Sequence, residues 1–202
     1  MARPKAATFD LQRAAILHSA AELFASHGYH HASMSQLAQA CGVSKALLYH
    51  YYRDKQHILF DIADNYMDAL LTIVAQVRAE KLPVEAQLKT MISRFMQTYR
   101  HAQAQHMVLV QDVKYLEPQQ REQVQEKERR VVQAFARAIA ALKPRLKGKA
   151  LEVPLAMILF GMINWTFTWL RPDGRITYDD MAQIVSEVFL HGVSDATAKA
   201  NL

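Results

Sequence analysis

The stretch from Ser33 to Lys55, SMSQLAQACGVSKALLYHYYRDK, carries the signals of two short helices separated by a tight turn. Ser33 fits a helix N-cap, because its hydroxyl can accept a hydrogen bond from the backbone N–H three residues later. Gln36 occupies that third position, and its side chain can reach back to the cap as in a capping box. Gly42 suits the left-handed conformation that ends a helix, and Ser44 can cap the next one.

The apolar positions predict how these two helices pack. Leu37, Ala38 and Cys41 share one face of the first helix, while Leu48 and Tyr52 form the inner face of the second. The small side chain of Ala38 lets the second helix approach closely. Two helices joined in this way form a helix-turn-helix, a motif whose second helix lies in the major groove of DNA.

The outer face of the second helix carries a cation, a hydroxyl, an imidazole and a phenol, but no acid. Such groups bind phosphates and read base edges. An ordinary helical hairpin with a solvated polar face remains the alternative. Asp54 can cap a further helix, which places Lys55 in its first turn. The predicted DNA-binding residues are Ser33, Ser44, Lys45, Ala46, Leu47, Tyr49, His50 and Lys55.

Within this set, Lys45, Tyr49 and Lys55 are expected to contact phosphates, with Ser33 as a further contact. His50 and Lys45 are expected to reach base edges, because imidazole and ammonium groups can donate hydrogen bonds there.

The composition indicates a globular, all-helical protein. The 202 residues are 51% hydrophobic and 21% charged, with six glycines and six prolines. The net charge of +5 and the pI near 9.3 suit nucleic acid or an anionic ligand. The single cysteine suits a reducing cytoplasm, and the amino-terminal residues lack the apolar run of a secretory signal.

About nine helices are expected, in two domains: a three-helix DNA-binding domain over residues 1–53, and a ligand-binding and dimerisation domain over residues 54–202. Apolar residues at helical spacing predict the helices. The clearest segments are Asp10–Ser26, Asp54–Ala79, Pro83 to about Ala104, Gln119–Leu142, Val153–Leu170 and a last helix capped by Thr177.

The segment Val153–Leu170 is the most apolar part of the chain, and it has no formal charge. It approaches the length of a membrane span, but it contains proline, glycine, asparagine and threonine, and no second span accompanies it. We therefore predict no membrane insertion, and a helix that faces the core on one side and a partner subunit on the other. With the last helix it predicts a homodimer through a four-helix bundle.

Two basic segments have two interpretations each. Arg3 and Lys5 lie in a leader without apolar periodicity, which is either an arm that reaches DNA or a tail whose charges aid solubility. The cations of the connection Lys143–Lys149 either meet phosphates or form a solvated loop.

No catalytic or metal site is predicted. His27, His30 and His31 are clustered, but no cysteine or acid completes a tetrahedral zinc set near them. Cys41 falls on an inner helix face, where a free cysteine behaves as a small hydrophobe. The chain lacks a nucleophile–base–acid set and a glycine-rich phosphate loop. A helical enzyme acting on acyl-CoA, and a ligand-binding module without a DNA function, are the alternatives.

The first quarter of the chain resembles the DNA-binding region of TetR-family transcriptional repressors. The resemblance rests on Ala21-Glu22-Leu23-Phe24, Gly28-Tyr29, Ser33, Leu37-Ala38, Gly42-Val43-Ser44, Leu48-Tyr49, Tyr52 and Lys55. Ala32, Ala46 and Tyr51 depart from the residues that are frequent in the family, so no operator sequence is carried over.

This resemblance implies a dimer that binds operator DNA and is released from it by a small molecule. The stretch GMINWTFTWLRPDG, residues 161–174, is similar to the branch that answers acyl-CoA thioesters. The chain as a whole resembles repressors of phenylacetate degradation, which implies phenylacetyl-CoA as the effector and no resident cofactor.

An aromatic acyl group and an anionic CoA call for aromatic side chains, a hydrogen-bonding group and cations. For each aromatic residue, plain core packing is the alternative. The predicted ligand-binding residues are Arg94, Phe95, Tyr99, Gln111, Phe135, Phe160, Asn164, Trp165, Thr168 and Trp169. Further cations predicted at the mouth are Arg129, Arg130, Lys143, Arg145 and Arg171.

The second helix of each helix-turn-helix is called the reading helix. In such a dimer the two reading helices must lie one turn of DNA apart, about 34–36 Å, to enter successive major grooves. A ligand that binds more tightly to a conformation with another spacing weakens DNA binding. The extent is set by the difference between its affinities for the two conformations. The long helix that begins near Asp54 is the predicted lever: a continuous helix can carry a movement at one of its ends to the other.

Overall fold

The computed structural model describes residues 3–142 and 150–199, with side chains for residues 8–142 and 150–192. The described residues form nine α-helices and no strand, which confirms the all-α prediction. In chain order the helices are α1 (Arg3–His27), α2 (Met34–Ala40), α3 (Lys45–Tyr51), α4 (Lys55–Ala79), α5 (Val84–His101), α6 (Gln103–Asp112), α7 (Pro118–Leu142), α8 (Glu152–Asn164) and α9 (Tyr178–Lys199). Short 3₁₀ helices follow α6 at Val113–Tyr115 and α8 at Trp165–Thr168. The basic connection Lys143–Lys149 lies outside the described residues.

Side-chain caps fix both helices of the helix-turn-helix. Ser33 Oγ accepts from the N–H of Gln36 at 3.3 Å, and Gln36 Oε1 accepts from the N–H of Ser33 at 2.9 Å. Ser44 Oγ accepts from the N–H of Leu47 at 3.1 Å. These bonds confirm the capping box and the second cap, and each satisfies a backbone N–H that the helix leaves without an internal partner.

The turn between α2 and α3 has the predicted geometry. Gly42 has φ +63°, a left-handed conformation that glycine adopts without a steric penalty. The N–H of Val43 then donates to the carbonyl of Ala38 at 3.0 Å. Ala38 is buried with Leu37, and Leu48 and Tyr52 of the second helix are buried as well. The inner faces predicted from helical spacing are therefore confirmed.

Helix α1 begins at Arg3, well before the predicted start at Asp10. Pro4 causes no interruption, because a proline in the first turn needs no N–H donor and already has a helical φ. Ala6 and Ala7 add strong helix propensity. Arg3 and Lys5 thus belong to a helix, and the start predicted at Asp10 is corrected to Arg3.

The apolar segment near the C-terminus does not form a single helix up to Leu170. Helix α8 ends at Asn164, and a 3₁₀ turn follows. The hydroxyl of Thr166 donates to the carbonyl of Ile163 at 2.6 Å, and that of Thr168 donates to the carbonyl of Trp165 at 2.8 Å. Threonine hydroxyls that bond nearby carbonyls compete with the α-helical pattern, which accounts for the early end.

The other predicted caps are present. Asp54 Oδ1 accepts from the N–H of His57 at 2.8 Å at the start of α4. Thr177 Oγ1 accepts from the N–H of Asp180 at 3.0 Å, and Asp180 accepts in return from the N–H of Thr177 at 2.9 Å. Both helices therefore begin where the sequence predicts. Across residues 3–142 and 150–199, none of the helices combines the length and the apolar content that a bilayer crossing requires.

The chain folds into two compact units. The first comprises Met1–Met67 and Gln103–Gln125, and the second comprises Asp68–Ala102 and Glu126–Leu202, each taken over its described residues. Helices α4 and α7 each contribute one part to each unit. The domain boundary predicted at residue 53 stays a prediction.

In the first unit, the segment after α6 packs against the loop before α2 and the first turn of α4. The Tyr115 ring stacks on Tyr29 at a centroid distance of 5.6 Å and meets the edge of His30 at 4.1 Å. Gln56 Nε2 donates to the carbonyl of Tyr115 at 3.1 Å. Helix α6 also lies along α1. The unit that contains the helix-turn-helix is therefore built from two separate stretches of sequence.

We expect Ser44→Ala to lower the free energy of unfolding by about 1 kcal/mol, because the N–H of Leu47 loses its acceptor. Chemical denaturation followed by circular dichroism measures this change. Ser35→Ala is the matched control, since Ser35 is an exposed serine inside α2. Equal stabilities of the two variants would contradict the capping role.

Candidate nucleic-acid interface and ligand site

Helix α3 presents its predicted outer face to solvent. Leu48 and Tyr52 anchor its inner side in the core, so the remaining positions point outward. The structure brings seven of the eight predicted DNA-binding residues to the surface as exposed residues: Ser33, Ser44, Lys45, Ala46, Leu47, Tyr49 and His50. No residue of α3 is acidic. A surface with this composition suits the phosphates and base edges of a duplex.

Several of these side chains already have partners within the chain, among them Lys45 and Ser33. The Lys45 ammonium lies 6.0 Å from the centroid of the Tyr49 ring, a distance at the outer limit of a cation–π contact. The hydroxyl of Ser33 is part of its capping box, and it donates to Gln36 Oε1 at 2.8 Å. A phosphate contact by Ser33 would therefore exchange this hydrogen bond for another.

Lys55 is placed differently from the prediction. Its ammonium donates to the carbonyls of Tyr29 at 2.9 Å, Ala32 at 3.0 Å and His30 at 3.2 Å. It also lies 4.6 Å from the centroid of the Tyr29 ring. Because an ammonium group has three N–H donors, these carbonyls use all of them. Lys55 therefore ties the loop before α2 to α4, and its predicted phosphate contact stays a prediction.

A partly buried ion pair supports α3 on its core side. The sequence analysis did not predict this pair. Arg13 of α1 pairs with Asp61 of α4 at 2.5 Å, and Asp61 is almost fully buried. Burial, and next the nearby Asp61 carboxylate, raise the pKa of the Tyr52 hydroxyl above its ordinary value. The sequence did contain a signal for this pair. Asp61 is an acid between the apolar positions Ile58 and Ile62 of α4, and a buried acid needs a cationic partner.

The second unit contains an aromatic cluster that includes four of the predicted ligand-binding residues. Phe135 lies 5.0 Å from Phe95 and 4.8 Å from Phe160 between ring centroids, and both contacts are edge-to-face. Tyr99 lies 6.2 Å from Phe95. The four rings are buried, and an arrangement of this kind gains from the ring quadrupoles as well as from burial.

Asn164, a fifth predicted ligand-binding residue, is hydrogen-bonded to this cluster. The Tyr99 hydroxyl donates to Asn164 Oδ1 at 2.8 Å, at the last residue of α8. Burial raises the pKa of Tyr99, so this hydroxyl remains a donor at neutral pH. The cluster thus combines apolar rings with one polar pair, which is the composition of many small-molecule sites.

Four other predicted ligand-binding residues do not join this cluster. The two tryptophans are exposed by 65% and 50%, and Thr168 is exposed between them. Gln111 is exposed on α6, a helix of the first unit. The predicted pocket-lining role of Trp165, Thr168, Trp169 and Gln111 therefore stays a prediction. The tryptophans were predicted at the site because an aromatic acyl group favours aromatic side chains, and both follow Asn164, where α8 ends.

The cations predicted at the mouth of the site are partly engaged. Arg94 pairs with Glu80 at 2.7 Å, and Arg129 pairs with Glu126 at 2.8 Å. A CoA phosphate would compete with these carboxylates. The remaining members of the predicted set are exposed (Arg130, Arg171) or lie outside the described residues (Lys143, Arg145).

A separate surface cleft of about 330 Å³ lies between α5 and α9. Its lining is largely polar: Lys89 of α5 pairs with Glu85 of the same helix at 3.1 Å and with Glu187 of α9 at 2.8 Å. Ser93 and Gln183 add further polar groups. The cleft therefore lacks the apolar lining expected for an acyl chain, and we do not assign it to the effector.

The described side chains include no group of three or more histidine, cysteine, aspartate or glutamate residues placed to hold a metal ion. The Cys41 thiol donates to the carbonyl of Ile16 at 3.6 Å, and burial raises its pKa. A thiol with a raised pKa is poorly nucleophilic, in agreement with the packing role predicted for Cys41.

Comparison with known proteins agrees with this architecture. The family model for bacterial regulatory proteins of the tetR family matches residues 16–62. The model for the tetracyclin repressor-like C-terminal domain matches residues 81–193. The transcriptional repressor KstR2 of Rhodococcus jostii is 25% identical over 189 residues, 91% of each chain. The activator FasR of Mycolicibacterium smegmatis is 27% identical over 115 residues, so the alignment spans about half of that relative, 52% of its length.

Solved structures give the same result. A TetR-family transcriptional regulator from Bordetella parapertussis superposes with a TM-score of 0.85 at 30% identity, covering 91% of this chain and 96% of that one. AibR, crystallised with isovaleryl coenzyme A and operator DNA, superposes with a TM-score of 0.76 at 25% identity, covering 88% of this chain and 98% of that one. The family and these relatives are regulators and not enzymes. The two family models, which cover the helix-turn-helix and more than half of the remaining chain, show that the protein belongs to the TetR family of bacterial transcriptional regulators.

Proposed function

We propose that the protein is a cytoplasmic repressor that binds operator DNA as a homodimer and is released by an acyl-CoA thioester. The observation that carries the DNA-binding part is the exposed, acid-free face of α3, fixed by the Ser44 cap and by the burial of Leu48 and Tyr52. Lys45 and Tyr49 are the proposed phosphate contacts, and His50 with Lys45 the proposed base contacts.

The effector class is supported by the relatives and by the aromatic cluster. AibR was crystallised with isovaleryl coenzyme A. In this chain Phe95, Phe135 and Phe160 meet edge-to-face beside the Tyr99–Asn164 hydrogen bond. Flat rings favour an aromatic acyl group, and the polar pair can bond the thioester carbonyl. Phenylacetyl-CoA is therefore our proposed effector, and aromatic acid catabolism the proposed target.

Because the rings of the cluster are packed against one another, an acyl group that enters must displace at least one of them. Binding then favours a conformation different from the ligand-free one, and its differential affinity determines how far DNA binding weakens. The lever role predicted for α4 is part of this proposal.

A homodimer through α8 and α9 is supported by exposed apolar side chains on both helices. Met157 and Ile158 of α8 are more than half exposed, and so is Val188 of α9. Val153 and Ile184 extend the two surfaces. Exposed apolar side chains that recur along two helices are unfavourable in water and favour an interaction site there. A second copy is the proposed occupant, because two-fold symmetric operators require two reading helices.

We expect Lys45→Ala to weaken binding to operator and to unrelated duplexes alike, and to lower the slope of log affinity against log salt by about 1. Lys55→Ala should keep the salt slope and instead lower the free energy of unfolding by about 2 kcal/mol, because three carbonyls lose a charged donor. Fluorescence anisotropy at several salt concentrations, with both variants folded, separates them. A reduced slope for Lys55→Ala would support its predicted phosphate contact.

We expect phenylacetyl-CoA to release the protein from the DNA upstream of its own gene in a gel-shift titration. The panel should include isovaleryl-CoA, a long-chain acyl-CoA, free CoA and free phenylacetate. Release by the free acid and not by the thioester would refute the proposed effector class. Failure to bind the promoter without any ligand would refute the repressor itself.

We expect Phe160→Leu to shift the concentration needed for release severalfold while ligand-free DNA binding stays unchanged, because the substitution alters a ring of the cluster. Trp169→Ala is the control, since Trp169 is an exposed aromatic outside the cluster. If the two variants shift the release curve equally, the effector does not bind among these rings.

We expect Val188→Glu to convert the dimer into a monomer in sedimentation velocity, because a carboxylate buried in an apolar interface has no partner. Gln183→Glu introduces the same charge on the same helix, at the polar cleft beside α5, and should remain dimeric. A dimeric Val188→Glu variant would exclude this face of α9 from the interface.

A further inference from the structure

An aromatic contact joins α1 to the reading helix. The ring of Phe9 stacks on the ring of Tyr51, with a centroid distance of 4.5 Å and an interplanar angle of 25°. Phe9 belongs to α1, outside the helix-turn-helix, and is 42% exposed. Tyr51 is the last residue of α3. An aromatic pair at the edge of the core adds to the attachment of α3 without belonging to its inner face.

The stack continues a row of contacts along one side of α1. Phe9 and Arg13 are four residues apart and Ile16 follows three residues later, so the three share a helical face. Arg13 pairs with Asp61, and Ile16 is fully buried. Phe9 therefore extends this contact face by one turn, up to the C-terminal end of the reading helix.

Tyr51 in turn contacts the side chain to which base reading is assigned. The Tyr51 ring meets the His50 ring edge-to-face, at 5.6 Å and 88°. Phe9, Tyr51 and His50 thus form a chain of three rings that leads from α1 to the outer face of α3. Aromatic pairs in offset-stacked and edge-to-face geometry hold each other's orientation.

We propose that Phe9 is a positioning residue for DNA recognition: through its stack on Tyr51 it fixes the last turn of α3 and the orientation of the His50 imidazole. This inference rests on the proposed function, because it requires that α3 reads operator DNA. Phe9 itself need not touch the duplex.

The physical basis is preorganisation. A side chain that is free to rotate loses rotamer entropy when it binds, and one that is already held loses less. Base contacts depend on such fixed geometry, whereas phosphate contacts by flexible cations depend on charge. Loss of the stack should therefore weaken binding to the operator more than binding to unrelated DNA.

The test compares Phe9→Ala with the unchanged protein on the promoter fragment that the gel shift identifies and on a scrambled duplex. We expect operator affinity to fall roughly threefold to tenfold, the range that the loss of one aromatic pair gives. Affinity for the scrambled duplex and the salt slope should stay unchanged. Leu11→Ala is the matched control, because Leu11 is a 72% exposed apolar residue of the same helix.

Three further variants separate positioning from stability. Phe9→Tyr keeps a ring and should restore operator affinity. Phe9→Ala combined with Tyr51→Ala should lose no more operator affinity than Tyr51→Ala alone, because both act through one contact. A parallel fall of operator binding, scrambled-duplex binding and melting temperature would reduce Phe9 to a structural role and overturn the proposal.

If Phe9→Ala binds the operator as tightly as the unchanged protein, the positioning role of Phe9 is refuted as well. The repressor proposal is unaffected by that result. If the unchanged protein does not prefer its own promoter over the scrambled duplex, the repressor proposal fails, and the positioning role of Phe9 fails with it.

Discussion

The reading helix α3 has only seven residues, and a helix of that length is not stable in water on its own. Its stability must come from its neighbours. Burial of Leu48 and Tyr52, the Ser44 cap and the left-handed Gly42 before it together determine where the helix begins and which face it buries. The exposed face exists as a defined surface only because these contacts leave α3 one orientation.

Polar contacts around α3 are consistent with its being held in one orientation. The Arg13–Asp61 pair joins α1 to α4, and the Lys55 ammonium joins the loop before α2 to α4 through three carbonyls. A partly buried charge that lost its partner would be costly, so each contact penalises a displaced helix more strongly than an apolar contact would. In a basic protein that binds an anion, two of the cations near the proposed interface thus serve the fold.

Local signals made much of this fold predictable from the sequence. The caps at Ser33, Ser44 and Thr177 and the glycine turn depend on neighbouring residues, and helical spacing identified the inner faces. The site was predictable only in part, because its remaining features depend on contacts between distant residues. Nothing near Lys55 in the sequence indicates that carbonyls some twenty-five residues earlier engage its ammonium. The end of α8 at Asn164 was also missed, because the threonine hydroxyls beyond it, which compete with the helical pattern, were not considered.

The packing of Tyr115 on Tyr29 and His30 has a consequence for engineering. The unit that holds the helix-turn-helix includes residues 103–125, which are far from it in the chain. A fragment cut after α4 would expose the Tyr29 ring and leave the Gln56 amide without its acceptor. Chimeric sensors that combine the operator preference of one regulator with the effector of another should therefore graft both stretches, because a junction at the amino-terminal segment alone divides a folded body.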